Sequence, residues 1–168
     1  LFWRAGAGKL GYMPQIEDLE NPKINLATLI ISEDSEILGS VFTQNQNRTF
    51  IGFDRLPKHL VDALVATEDV RFYKHSGIDL KGTVRAVVFL GKRGGGSTIT
   101  QQLSKQLFHE EVKNLGQRMM QKIKEYVISV KLERSYTKNE IIALYFNQYD
   151  FLYNAVGINS ASQVYFNK

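Results

Sequence analysis

From about residue 53 onward, apolar residues recur three or four positions apart, the spacing of helices that bury one side. Leu56-Pro57 puts proline at a first helical position, and Leu60, Leu64 and Glu68 then recur every fourth residue. At about 100° per residue these three span a sector of about 80°. Glu68 is therefore expected on the rim of the buried stripe, with Asp69 facing elsewhere. A break at Lys74-His75-Ser76-Gly77 precedes a helix over about 79–90 carrying Val84, Val87 and Val88. After the glycine-rich segment 91–96, a helix opening at Ser97 has Ile99, Leu103 and Leu107 as its apolar row.

A longer helix is expected over about 115–134, with Met119, Ile123, Tyr126, Val127 and Val130 on its apolar side. Arg118, Lys122, Glu125 and Ser129 form one polar stripe along it. Thr137 followed three residues later by Glu140 is a capping-box signature, opening a helix through Asn147 with Ile141, Ile142, Leu144 and Tyr145 inward. Residues 155–166 read as a last short helix. Before residue 50 the character differs. Residues 1–23 are irregular, and the runs INLATLII and EILGSVF flank Ser32-Glu33-Asp34-Ser35 as two strands of a hairpin. The chain thus divides into a lead-in with a β-hairpin over 1–50 and a mainly helical domain over 51–168.

Composition sharpens this outline. In 168 residues, 43% are hydrophobic, with ten Phe and eight Tyr, enough for one folded domain. The absence of cysteine excludes disulfides, thiolate metal sites and a Cys nucleophile. Chemistry falls to carboxylates, hydroxyls, Lys and Arg, or the three His. No apolar run approaches the about 18 residues of a membrane helix. Because the chain starts at Leu1 and stops at Lys168 soon after an apolar segment, it reads as a fragment of something longer, which leaves an anchor outside it open.

Three constellations could carry chemistry. Glu68 is either a partly desolvated proton acceptor or an ordinary surface Glu near a helix end. Gly94-Gly95-Gly96 leading into Ser97, Thr98, Gln101, Gln102 and Lys105 is either an anion site at a helix start or a flexible loop with Ser97 as cap. No Gly-Lys-Ser/Thr follows the glycines, so this is not a Walker loop. The stripe Arg118/Lys122/Glu125/Ser129 is either a binding row or a set of surface ion pairs. His75 fits a ligand or base, or a hydrogen-bonded structural His, while His59 and His109 read as surface residues.

Taken in order, these segments resemble a known family. Glu68-Asp69-Val70-Arg71-Phe72-Tyr73-Lys74-His75-Ser76-Gly77 is similar to its first motif, Glu-Asp-x-x-Phe-x-x-His-x-Gly. Gly95-Gly96-Ser97-Thr98-Ile99-Thr100-Gln101-Gln102 is similar to its second, and Lys122-Ile123-Lys124-Glu125 to its third, Arg-Lys-x-x-Glu, without the leading Arg. Residues 138–147 and 157–168 resemble the fourth and fifth. The family is the peptidoglycan glycosyltransferases (glycosyltransferase family 51), found in bifunctional penicillin-binding proteins and as monofunctional transglycosylases.

The resemblance implies a mainly α, lysozyme-like glycosyltransferase fold with a short N-terminal β-hairpin stem, cut short at its C-terminus. It implies polymerisation of lipid II, in which the 4-hydroxyl of one disaccharide attacks the anomeric carbon of the growing glycan chain and displaces undecaprenyl pyrophosphate with inversion. Glu68 falls at the position of the general base, and Glu125 at the second acidic position. Ser97, Gln102, Lys105 and Lys122 fall at pyrophosphate-contacting positions. Thr98, Gln101, Arg118, Asp69 and His75 complete the expected substrate-binding set. No cofactor is required; a divalent cation, Mg or Mn, near Glu125 is an optional addition at the pyrophosphate. The implied setting is the outer, periplasmic face of the bacterial cytoplasmic membrane, held by an N-terminal helix absent from this chain. Other cell-wall synthesis proteins are the expected partners, with no nucleic acid. Gln121 replaces the third motif's Arg, with Arg118 one turn earlier as the nearest substitute cation. Ala143 stands for a usual Glu, Asn167 for Gly and Gln106 for Asn. A lysozyme-like glycan-cleaving enzyme, such as a lytic transglycosylase, and a non-catalytic remnant that binds lipid-linked glycan are the competing readings.

Overall fold

The structure, a computed structural model, describes residues 28–35, 37–41, 50–89, 95–108, 114–153 and 155–167. The expectations for residues 1–23, the Gly91–Gly94 part of the glycine-rich segment, and His109 lie outside them. Strands β1 (Thr28–Ile31) and β2 (Ile37–Val41) pair antiparallel, Thr28 opposite Val41, with an irregularity in register between Ile30 and Ile31. The link between them turns through Ser35, which has φ 66° and donates its N–H to the Ser32 carbonyl at 3.0 Å.

The remaining elements are helical: α1 (Lys58–Glu68), α2 (Leu80–Val88), α3 (Ile99–Leu107), α4 (Leu115–Ser135), α5 (Lys138–Gln148) and α6 (Ile158–Phe166), with single 3₁₀ turns at Phe53–Arg55 and Phe72–Lys74. The domain is therefore mainly α. Side-chain caps set the starts of α3, α4 and α5. Thr137 and Glu140 form the expected capping box of α5. At α3 the box is Thr98 with Gln101, one residue later than the Ser97 cap expected from sequence. Asn114 caps α4 by accepting from the Gln117 N–H at 2.8 Å. Pro57 is the N-cap of α1 instead of its first helical residue.

Helix α5 is the hub. Its residues Ile141–Asn147 are all buried, so over this stretch it is enclosed around its whole circumference. Phe72, Ile99, Leu103, Leu132 and Val61 belong to the same core cluster. Asn147 satisfies its amide by accepting from the Ile51 N–H and donating to the Ile51 carbonyl, each at 2.8 Å, which ties the start of the helical region to this hub. Gly157, at φ +85°, lets α6 begin close against it: a Cβ there would lie 3.0 Å from the Asn147 carbonyl oxygen.

The long helix α4 departs from the expected amphipathic pattern. Its buried residues are Lys124, Glu125, Ile128, Ser129 and Leu132, while Met119 is exposed and Ile123, Tyr126, Val127 and Val130 are only half-buried. The polar stripe thus enters the core at its C-terminal half. Hydrogen bonding makes this tolerable: the Glu125 carbonyl accepts from Ser129 Oγ at 2.6 Å and from Ser104 Oγ of α3 at 3.4 Å. Two serines at the crossing allow α3 and α4 to approach closely and fix where Glu125 sits.

Candidate active site

Glu68 is the last residue of α1 and Asp69 its C-cap. The two neighbours part company. Glu68 is exposed, which corrects the expected rim placement and its desolvation: α1 buries Val61, one position round from the predicted row. Asp69 turns inward, its side chain 3% exposed, and accepts from His75 Nε2 at 3.0 Å and from the Ile99 N–H at 3.2 Å. That second bond serves an N-terminal amide of α3, a favourable place for a carboxylate. Asp69 and His75, expected among the substrate contacts, are thus spent on joining the end of α1 to the start of α3.

The Gly77 turn completes this junction. At φ +89° it passes so close to α4 that a Cβ would lie 2.8 Å from the Ser129 carbonyl oxygen. Its own carbonyl accepts from Thr98 Oγ1 at 2.7 Å and from Gln101 Nε2 at 3.4 Å. Thr98 is therefore fully engaged as cap and anchor, and its expected role as a donor to substrate is not supported by its buried position. Lys138 locks the same region from α5. Its ammonium donates to the His75 carbonyl at 2.7 Å and to Glu133 Oε1 at 2.8 Å, and lies 4.2 Å from the Phe72 ring centroid.

Above this scaffold opens a cleft of about 700 Å³ lined by Ser97, Gln101, Gln102, Lys105, Gln106, Lys122, Glu125 and Tyr149. Lys122 donates to Glu125 Oε2 at 2.7 Å and to Ser97 Oγ at 3.0 Å. The ammonium thereby bridges α4 to the entry of α3, and Glu125, 8% exposed, is held as a paired carboxylate rather than a solvated one. Lys105 is exposed at the same cleft. Two cations and several amide and hydroxyl donors in one concavity suit a polyanionic group.

Glu68 joins this cleft through its neighbours. It shares a small cavity of about 30 Å³ with Ser97, Gly95, Gly96 and Arg71. Its Oε2 accepts from Gln102 Nε2 at 2.7 Å, and Gln102 Oε1 in turn accepts from the Tyr145 hydroxyl at 3.1 Å. Burial of Tyr145 and the nearby Glu68 charge push the Tyr145 phenol well above its ordinary value, so it remains a donor throughout the neutral range. In the cavity wall, burial opposes the charge on Asp79, but bonds from the Arg71 guanidinium and the Gly82 N–H outweigh it and hold the carboxyl below its usual range.

Arg118 is exposed and does not line the cleft, so the expected replacement of Gln121 by Arg118 has no geometric support; Gln121 is itself half-buried. Tyr145 and Tyr149 were not anticipated as site residues. The spacing that put Tyr145 in an apolar row is correct, but the partner of its hydroxyl comes from a helix 43 positions away. Ala143 is buried in the hub, where a small apolar side chain fits without a partner.

A cation riding on phosphate oxygens needs only one or two protein carboxylates. Glu125 is the single carboxylate lining the cleft, and no group of three metal-ligating side chains occurs among the described residues. Glu125 Oε2 already accepts from the Lys122 ammonium at 2.7 Å, so this carboxylate is neutralised by a cation of the chain itself.

With a mainly helical domain and a cation-lined cleft beside an exposed glutamate, comparison with known proteins gives the family. The transglycosylase family model matches residues 34–168. The chain is 38% identical over 149 residues to penicillin-binding protein 1F of Bacillus subtilis, covering 86% of this chain and 20% of that protein. It is 38% identical over 160 residues to penicillin-binding protein 1A of Neisseria flavescens (93% and 19%) and 36% identical over 160 residues to that of Escherichia coli (93% and 18%). The chain belongs to the transglycosylase family, and is a glycosyltransferase domain by class. It spans about a fifth of the length of these relatives.

Proposed function

We propose that this domain is a peptidoglycan glycosyltransferase that polymerises lipid II into glycan strands, releasing undecaprenyl pyrophosphate, with Glu68 as general base. Membership of the transglycosylase family supports the reaction class, and the observation that carries the assignment of roles is the arrangement of the cleft. An exposed glutamate, bonded by Gln102, lines one cavity with Ser97, and Lys122, paired with Glu125, donates to the same Ser97. The acceptor 4-hydroxyl would lose its proton to Glu68 as it attacks the anomeric carbon. Charge developing on the departing pyrophosphate would meet Lys122, Lys105, Ser97 and Gln102, with Glu125 holding Lys122 in place. Hydrolysis of glycan has no use for such a cationic cradle, which favours synthesis over the lysozyme-like alternative.

The fold reading that goes with this function is lysozyme-like, with residues 1–50 as lead-in and hairpin stem and 51–168 as the catalytic domain. The setting is the outer face of the bacterial cytoplasmic membrane, with other cell-wall synthesis proteins as partners. Among the described residues no helix is long and apolar enough to cross a membrane. Leu80, Val84 and Val88 of α2 are exposed as one apolar ridge beside Lys81 and Arg85, a pattern suited to lying in an anionic bilayer surface.

Incubation with radiolabelled lipid II tests the proposal. Polymer digestible by a muramidase is the expected product, and Glu68→Gln should lower the rate by about 10²–10⁴-fold, the usual contribution of a general base. Cleavage of pre-formed glycan without polymer would overturn the reading, and unchanged behaviour of Glu68→Gln would favour a binding module.

A further inference from the structure

Glu68 sits at the last position of α1, exposed, and among the described residues Gln102 is its one hydrogen-bond donor. An exposed carboxylate at a helix end samples several rotamers, so what holds Gln102 decides what holds Glu68. Gln102 is half-buried on α3, and its amide has two ends of opposite character. If the amide turned over, its oxygen would face the Glu68 carboxylate, placing lone pairs against negative charge.

The Glu68 carboxylate, which can only accept, selects the other orientation, and the hydroxyl of Tyr145 anchors the far end of the amide in it. That hydroxyl donates to Gln102 Oε1 at 3.1 Å, leaving Nε2 to donate to Glu68 Oε2 at 2.7 Å. Tyr145 belongs to the buried hub helix, is 4% exposed, and its ring is held against Tyr149 at 5.4 Å between centroids. Its hydroxyl is thus fixed in space, and burial together with the Glu68 charge keeps its proton on. We propose that Tyr145 is a positioning residue for Glu68: by fixing the Gln102 amide it transmits the rigidity of the core helix α5 to an otherwise mobile carboxylate. This rests on the reading of Glu68 as the base.

Tyr145→Phe keeps the ring and removes only the hydroxyl. In the full-length protein with lipid II as substrate, kcat should fall about tenfold, with KM within about twofold and the unfolding midpoint within about 2 °C of wild type. Gln102→Ala should lower kcat at least as far, and the double variant should be no slower than Gln102→Ala alone, because both changes break one relay. Wild-type kcat in Tyr145→Phe, multiplicative losses in the double variant, or a fall in kcat matched by a large loss of stability would each overturn the positioning role. The two levels separate cleanly. An inactive Glu68→Gln beside a fully active Tyr145→Phe refutes the relay alone, whereas an active Glu68→Gln refutes the base and the relay with it.

Discussion

Replacing Gly77 by alanine probes the junction on which the site is built. Gly77 has φ +89°, where a side chain is strained, and a Cβ there would meet the Ser129 carbonyl oxygen at 2.8 Å, its carbon at 2.9 Å and the Val130 nitrogen at 3.2 Å. All three are backbone atoms of α4 and cannot rotate away. The conformational strain costs about 1–3 kcal/mol, and overpacking against backbone adds about 1–3 kcal/mol. A total of about 2–6 kcal/mol is expected, and for a domain of this size each kcal/mol moves the midpoint about 2–4 °C. Thermal unfolding of Gly77→Ala should therefore fall by at least about 4 °C. Function should drop further than stability explains, because the Gly77 carbonyl accepts from both Thr98 and Gln101 at the entry of α3, next to Ser97. Circular dichroism melts and lipid II polymerisation measured well below the midpoint separate the two effects. A midpoint within about 1 °C of wild type would refute the close approach of the turn to α4.

Lys122→Met should abolish most polymerisation while Arg118→Ala leaves it nearly intact, since only Lys122 bridges Ser97 and Glu125; equal losses in a lipid II assay would contradict the geometry. Thr137→Ala removes the α5 cap and should cost about 1 kcal/mol by denaturant titration. The Glu140 carboxyl is held below its ordinary value by the Thr137 N–H and hydroxyl. Its contribution is therefore present above the unfolded pKa of about 4.3, and is lost as pH falls through the lower folded value; Thr137→Ala should flatten that acid limb of the stability curve. Val84→Ser with Val88→Ser should weaken flotation with anionic vesicles while leaving the melt unchanged, as both side chains are exposed.

Much of the outline was legible in the chain because helix formation here is governed by local rules. The Thr137/Glu140 box, the break at residues 74–77, and the apolar rows of α3 and α5 follow from periodicity and capping alone. Glu68, Ser97, Gln102, Lys105, Lys122 and Glu125 could be picked out as candidates by residue type and motif. What periodicity could not tell was which side of a helix meets a neighbour. The stripe on α4 reads either as a binding row or as surface ion pairs, and Glu125 and Ser129 turn out buried where Ser104 of α3 bonds the Glu125 carbonyl. The same limit hid the difference between Glu68, left exposed, and Asp69, consumed by His75 and the α3 amide.

The sequence by itself determined that this is a cysteine-free, mainly helical domain whose reactive groups are carboxylates, lysines and neutral donors. Only the tertiary structure decided how those groups pair: Lys122 with Glu125 and Ser97, and Tyr145 through Gln102 with Glu68. The reason is physical. Helix propensity and capping act over four or five residues, whereas the partner of a buried or clamped polar group is chosen by the packing of helices dozens of residues apart.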